Sequence, residues 1–203
     1  MCGRFVSTSP PDAIASYFGA TANIESLGQN FNVAPTHDIY GVVAHPAGNK
    51  TVQAFHWGLI PSWAKERKIG AKMINARSET ITEKPSFRGL VKNKRVIIPM
   101  DGFYEWKPGS PDGPFNSKGK PLKQPMFIER IDGEPLAVAG LWSIWKDPAD
   151  AEQRWLHSAT VITTEANIDM SVVHNRMPVL VPPDRWEEWL DPGNADIESL
   201  SDL

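Results

Sequence analysis

One cysteine stands in 203 residues. A lone thiol makes no internal disulfide, so the expected setting is a reducing compartment, with bacterial cytoplasm favoured and a eukaryotic nucleus as the alternative. No run of about 18 apolar residues is present, which excludes a transmembrane helix, and no membrane partner is expected. The N-terminus lacks the long apolar stretch of a secretory signal. One Cys and no paired-His spacing leave no metal set, so no metal and no cofactor are expected. Gly-rich phosphate loops of the Walker or Rossmann kind are missing as well. No repeat period runs through the chain.

Positive charge is also scarce overall, with a formal net charge of −3. Its distribution is uneven. Residues 65–107 hold 11 Lys and Arg against 5 Asp and Glu, inside an otherwise acidic chain. Such a basic segment fits either a polyanion-facing patch or a solvated face with scattered lysines.

What is there reads as strands with a few helices between them. "STSPPDAIASYFG" predicts a short helix with Ser9 as N-cap and Gly19 ending it. "IYGVVAH" and "TVQAFHWGLI" read as strands around a turn, and "EKPSFRGLVKN" as a basic amphipathic helix. "RVIIPMDGFYEW" starts as a buried strand that Pro99 and Gly102 break or bulge. The Pro-, Gly- and Lys-rich stretch at 107–125 is a polar loop, not a linker. "PMFIERI", "PLAVAGLWSIW" and "HSATVITTEA" read as three more strands, "PPDRWEEWLD" as a late helix, and about 191–203 as a peripheral acidic tail. The expected fold class is α+β: one domain, 1–203, with a bent mixed or antiparallel sheet and a few flanking helices.

The lone cysteine sits at position 2, in "MCGRF". Once Met1 is removed, Cys2 carries an α-amine and a thiol on adjacent carbons. An aldehyde condenses with the amine to a Schiff base, and the thiol then closes a five-membered thiazolidine. An internal cysteine forms only a hemithioacetal. The terminal amine has a reference pKa of about 7.7–8.0, so a useful fraction is neutral near pH 7. A small buried residue at a strand start is the plainer reading of Cys2. Five further segments place polar groups at the edges of apolar runs: "FNVAPT", "WGLIPSWAK", "INARSET", "IIPMDGFYEW" and "VHNRMPVLV".

Together these motifs resemble the SOS-response-associated peptidase (SRAP) family of abasic-site processing proteins, over nearly the whole chain. The resemblance implies a compact α+β fold on a barrel-like sheet. It also implies covalent capture of abasic sites in single-stranded DNA, with Cys2 forming the thiazolidine. Asn75 in "INARSE" matches the active-site asparagine, whose amide can hold the terminal amine or a sugar hydroxyl. Glu105 in "GFYEW" matches the active-site carboxylate, suited to moving protons at the Schiff base and the opened sugar. His174 in "VHNRMP" matches the active-site histidine, suited to opening the sugar ring. Arg77 and Arg176 match arginines that hold DNA phosphates.

Each of those arginines lies two residues after a polar site residue. In extended backbone each pair would share one face. Arg4, two residues after Cys2, is assigned the same role. Trp106 and Trp63, with Trp57 as a further candidate, are assigned to base stacking, as single-strand binders use aromatic platforms. His37, His45, His56 and His157 receive no role. The expected partner is single-stranded DNA with an abasic site, including a junction with duplex, bound by a monomer. Lyase activity through the Schiff base and autocatalytic removal of Met1 belong to the same reading. The rivals are an N-terminal-nucleophile amidohydrolase with Cys2 as nucleophile, a peptidase using Cys2 and His174, and a plain single-strand binder.

Overall fold

Two strands have no polar-out alternation, and they mark the centre of the molecule. The computed structural model describes residues 2–152 and 154–196. In it β7 (Arg95–Met100) is buried at every position, and the first six residues of β10 (Leu136–Lys146) are buried too. Strands covered on both faces read as continuous apolar runs.

The remaining strands, in chain order, are β1 (Arg4–Ser7), β2 (Thr21–Ala22), β3 (Asn30–Val33), β4 (Asp38–Ala44), β5 (Lys50–Trp57), β6 (Asn75–Arg77), β8 (Gly102–Lys107), β9 (Gln124–Ile128), β11 (Trp155–Glu165) and β12 (Arg176–Pro178). The larger sheet runs β12-β11-β10-β7-β4-β5-β2, and a β11–β5 pairing closes β5-β4-β7-β10-β11 into a five-stranded barrel. β6 adds to β11 in parallel, and the smaller sheet runs β3-β1-β8-β9. The class is α+β, as expected. The helices are α1 (Pro11–Phe18), α2 (Ile168–Ser171) and α3 (Trp186–Leu190).

Strand periodicity divides the core. Val96 and Ile98 of β7 lie with Val43, Phe55, Trp57, Val138 and Val161, a cluster drawing on all five barrel strands. Ile97, one step out of phase, lies with Ile14, Phe18 and Trp189 beneath α1 and α3. Cys2, Phe5, Val33 and Phe103 belong to the first cluster. The smaller sheet therefore packs its apolar side onto the barrel's filling.

Several local expectations need correction. Ser9 does not cap α1. Pro10 holds the N-cap position without a side-chain bond, while the Ser9 hydroxyl donates to Asp101 (3.1 Å). Asp101 also accepts from the Thr8 backbone N–H and hydroxyl, which ties β1 to the β7–β8 corner. Gly19 does end α1, with a left-handed φ of 59°. "EKPSFRGLVKN" is a string of turns, not a helix. Its N–H groups reach back in pairs, Phe87 and Arg88 to Lys84, Leu90 and Val91 to Phe87. Pro85 offers no N–H, and Gly89 costs about 1 kcal/mol relative to Ala in a helix. The "RVIIPMDGFYEW" run breaks at Asp101 into strands of two different sheets. Pro99 is tolerated because β7 pairs with β4 only at Val42↔Ile97, short of the proline. The late helix is split, with a 3-10 turn at Pro183–Arg185 before α3. The acidic tail lies largely outside the described residues.

Candidate active site

Cys2 precedes β1 and has no exposure at all. Its backbone carbonyl accepts a hydrogen bond from Asn75 Nδ2 at 2.9 Å. Asn75 opens β6, whose register on β11 pairs it with Val161. The segment leading into it is pinned three times. Leu59 N–H donates to the Met73 carbonyl (3.1 Å), and Val161 N–H to that of Ile74 (3.0 Å). The Trp57 indole donates to the same Ile74 carbonyl at 3.0 Å. Trp57 also meets Phe5 edge-on, ring centroids 5.1 Å apart. Trp57 is fully buried, so it positions this segment and does not stack bases. Asn75 Oδ1 is buried and accepts no hydrogen bond from the described residues. An unsatisfied buried acceptor costs about 1–3 kcal/mol, which marks a place for a donor.

Glu105 comes from β8. The Phe5↔Phe103 pairing puts Phe103 and Glu105 on the barrel side of the smaller sheet. Glu105 is 2% exposed. Burial, and then the negative charge of Glu105, push the Cys2 thiol up to about 12. With Met1 attached, the sulfur is therefore held as a protonated thiol at neutral pH.

His174 follows α2. Asn167 caps that helix by accepting from Met170 N–H (2.9 Å), and Met170 packs against the Cys2 cluster. His174 N–H bonds the Met170 carbonyl at 2.9 Å, which sets His174 one turn further on. Its Nδ1 accepts from the Arg176 backbone N–H at 3.0 Å. The neutral ring therefore carries its proton on Nε2.

The two arginine pairs behave differently. Asn75 and Arg77 lie on one strand, and the Arg77 side chain is exposed, with no hydrogen bond or ion pair among the described residues. His174 lies in a turn, so the shared-face argument does not hold for His174 and Arg176. Arg176 is 8% exposed. Its guanidinium makes a two-pronged ion pair with Glu79 (2.5 and 2.9 Å) and donates to the Thr163 carbonyl (2.6 Å). It is committed inside the protein. Sequence reasoning passed over Glu79, although it stands in "INARSET" two residues from Arg77. The pair arises only because β6 and β12 both pair with β11, facing Thr163 from its two sides.

Arg4, Tyr104 and Trp106 occupy the opposite face of the smaller sheet from Glu105. With Phe31 and Asn32 they line an open groove of about 270 Å³. Phe31, 65% exposed, is a second residue that sequence reasoning missed. Trp63, 59% exposed, borders another groove of about 540 Å³ with Ile69 and the lysines Lys65, Lys68 and Lys72. That groove belongs to the 3-10 turn Arg67–Lys72, which lies directly before β6.

The sequence model described as SOS response associated peptidase (SRAP) matches residues 1–203. The chain belongs to that family. It is 40% identical over 205 residues to the abasic site processing protein YoqW of Bacillus subtilis, covering 100% of this chain and 86% of that one. It is 35% identical over 158 residues to the abasic site processing protein HMCES of Gallus gallus, covering 71% of this chain and 46% of that one. Among solved structures, a Bacteroides thetaiotaomicron protein superposes with a TM-score of 0.82 at 25% identity, covering 97% of this chain and 84% of that one. A phage-related protein of Bordetella bronchiseptica gives 0.72 at 28% identity, covering 100% and 87%.

Proposed function

We propose that this protein processes abasic sites in single-stranded DNA by forming a covalent link through Cys2. One observation carries the reading: Cys2 is enclosed beside Glu105 while Asn75 grips its carbonyl and keeps an empty acceptor. Water cleaves the Met1–Cys2 peptide and releases methionine, in a step the protein itself assists. The new α-amine then supplies the donor that Asn75 Oδ1 lacks.

The amine adds to the sugar aldehyde, and loss of water gives an imine. The thiol sulfur adds to the imine carbon, and its proton goes to the ring nitrogen. The net reaction joins aldehyde and aminothiol as a thiazolidine and releases one water. Glu105 moves protons at the amine and sulfur, His174 moves the proton that opens the sugar ring, and Asn75 holds amine or sugar. The same imine permits elimination of the neighbouring phosphate, which is a lyase outcome.

Arg77 is the phosphate contact on the rim, with Arg4 as a second. Trp106 and Trp63 stack bases on either side. Arg176 works from inside the protein, unlike the phosphate contact expected of it. The substrate is lesion-bearing single strand, including single strand beside duplex, and one copy of the chain suffices. Shielding the lesion from scission is the purpose of the link.

The test is a denaturing gel with an oligonucleotide carrying one abasic site. A slow-migrating band that requires the lesion and is missing from Cys2→Ala supports the reading. Equal bands from Cys2→Ala and wild type, or none from a chain that begins at Cys2, overturn it.

A further inference from the structure

Arg176 is placed unexpectedly for a residue in a DNA-facing motif. Its side chain is nearly buried, both terminal nitrogens face Glu79, and its Nε is buried without a partner among the described residues. Burying a guanidinium is costly unless it is paired, and here Glu79 and the Thr163 carbonyl supply the partners. Its backbone shows what that position controls. Arg176 N–H is the donor that fixes Nδ1 of His174. Arg176 is also the first residue of β12, paired with Glu165 at the edge of β11, so its side-chain anchor and its strand anchor act on the same peptide. Glu79 supplies the outer half of the side-chain anchor. It stands on the 3-10 turn Ser78–Thr80, directly after the strand that carries Asn75 and Arg77.

We propose that Glu79 is a positioning residue for His174. Its carboxylate holds the Arg176 guanidinium in a two-pronged ion pair, and this fixes the backbone N–H that orients the His174 ring and keeps its proton on Nε2. The pair also joins the two arms of the site, the Asn75–Arg77 strand and the turn that carries His174. Two-pronged Arg–carboxylate pairs give geometric definition as well as energy. The hydrogen bonds from Arg176 draw the Glu79 carboxyl below its usual range, so Glu79 stays ionised at neutral pH. Glu79 faces solvent on its other side, with 41% of its side chain exposed. It can therefore be changed without opening the core. For its kinetic effect the proposal rests on the reading that His174 acts on the abasic sugar.

The test compares Glu79→Gln and Glu79→Asp with the wild-type chain. Gln keeps the shape and removes the charge, whereas Asp keeps the charge on a shorter stem. Two readouts are needed. The first is the rate of adduct formation, set against affinity for an oligonucleotide bearing a reduced abasic analogue that cannot react. The second is the nitrogen NMR signature of His174, which reports the tautomer in the absence of DNA.

Glu79→Gln should slow adduct formation by roughly tenfold or more, the scale expected of a misplaced proton-transfer group. Affinity for the analogue should change less than about twofold, because the rim arginines are untouched. The His174 signal should move from Nε2–H toward a tautomer mixture, and Glu79→Asp should recover part of both effects. A wild-type rate and an unchanged His174 signal in Glu79→Gln would overturn the proposal. So would a rate loss matched by an equal affinity loss. If the wild-type chain forms no adduct, the functional reading fails, and the His174 signal still decides whether Glu79 sets that ring.

Discussion

A fully enclosed thiol beside a carboxylate is in its least reactive form. The sulfur of Cys2 ionises only near 12 while Met1 is attached, first because it is buried and second because Glu105 repels a thiolate. Alkylation by iodoacetamide at pH 8.5 should therefore be far slower than for an exposed cysteine. Glu105→Gln removes the repelling charge, so the thiol pKa falls and alkylation at that pH should quicken. A rate unchanged by Glu105→Gln would contradict the assigned proximity.

The sign for stability follows from the same shift. The folded state favours the protonated thiol, so this contribution is complete below about pH 9 and is lost as pH rises toward 12. At this scale Cys2, Asn75 and Glu105 could be singled out through the motifs that carry the family resemblance, and the fold brings Asn75 and Glu105 to Cys2. The ion pair of Glu79 with Arg176 was not. Its members are 97 positions apart, and only the pairing of both strands with β11 brings them together.

Among the elements, the 3-10 turn Arg67–Lys72 sets both the Trp63 groove and the approach to Asn75. It docks backbone against backbone on the end of β5. A Cβ on Gly58 would lie 2.5 Å from the Gly70 carbonyl oxygen, and Gly58 has a φ of +130° that side chains rarely adopt. Gly58→Ala should therefore cost roughly 2–4 kcal/mol, from clash and backbone strain together. A urea titration checks this, and an unshifted midpoint would contradict it. The sequence showed "WGLIPSW" as a candidate site segment but not this contact, because Gly70 carries no signal of its own. The basic stretch 83–93 was misread for a related reason. Its apolar spacing suits a helix, but Pro85 and Gly89 break the hydrogen-bond ladder, and tertiary packing of Phe87 and Val91 does the rest.

At the scale of the molecule, the barrel supplies rigidity and the grooves are the DNA track of the proposed function. The α+β class and most strands were legible because buried strands leave long apolar runs. The barrel-like sheet was expected only through the family resemblance, since its closure depends on a short parallel pairing of β5 with β11 that no local pattern announces. With a net charge of −3, binding relies on local rather than overall charge. Affinity for single strands should fall with salt, and Arg77→Ala should lower the log–log slope by about 0.7, one phosphate contact. An unchanged slope would remove Arg77 from the interface.

The central claim concerns the atoms joined at Cys2, and intact mass spectrometry of the protein after incubation with an abasic-site oligonucleotide tests it most directly. The account predicts one species whose mass equals the chain without Met1 plus the oligonucleotide minus one water, missing from Cys2→Ala. An adduct that retains Met1, or one formed equally by Cys2→Ala, would contradict it.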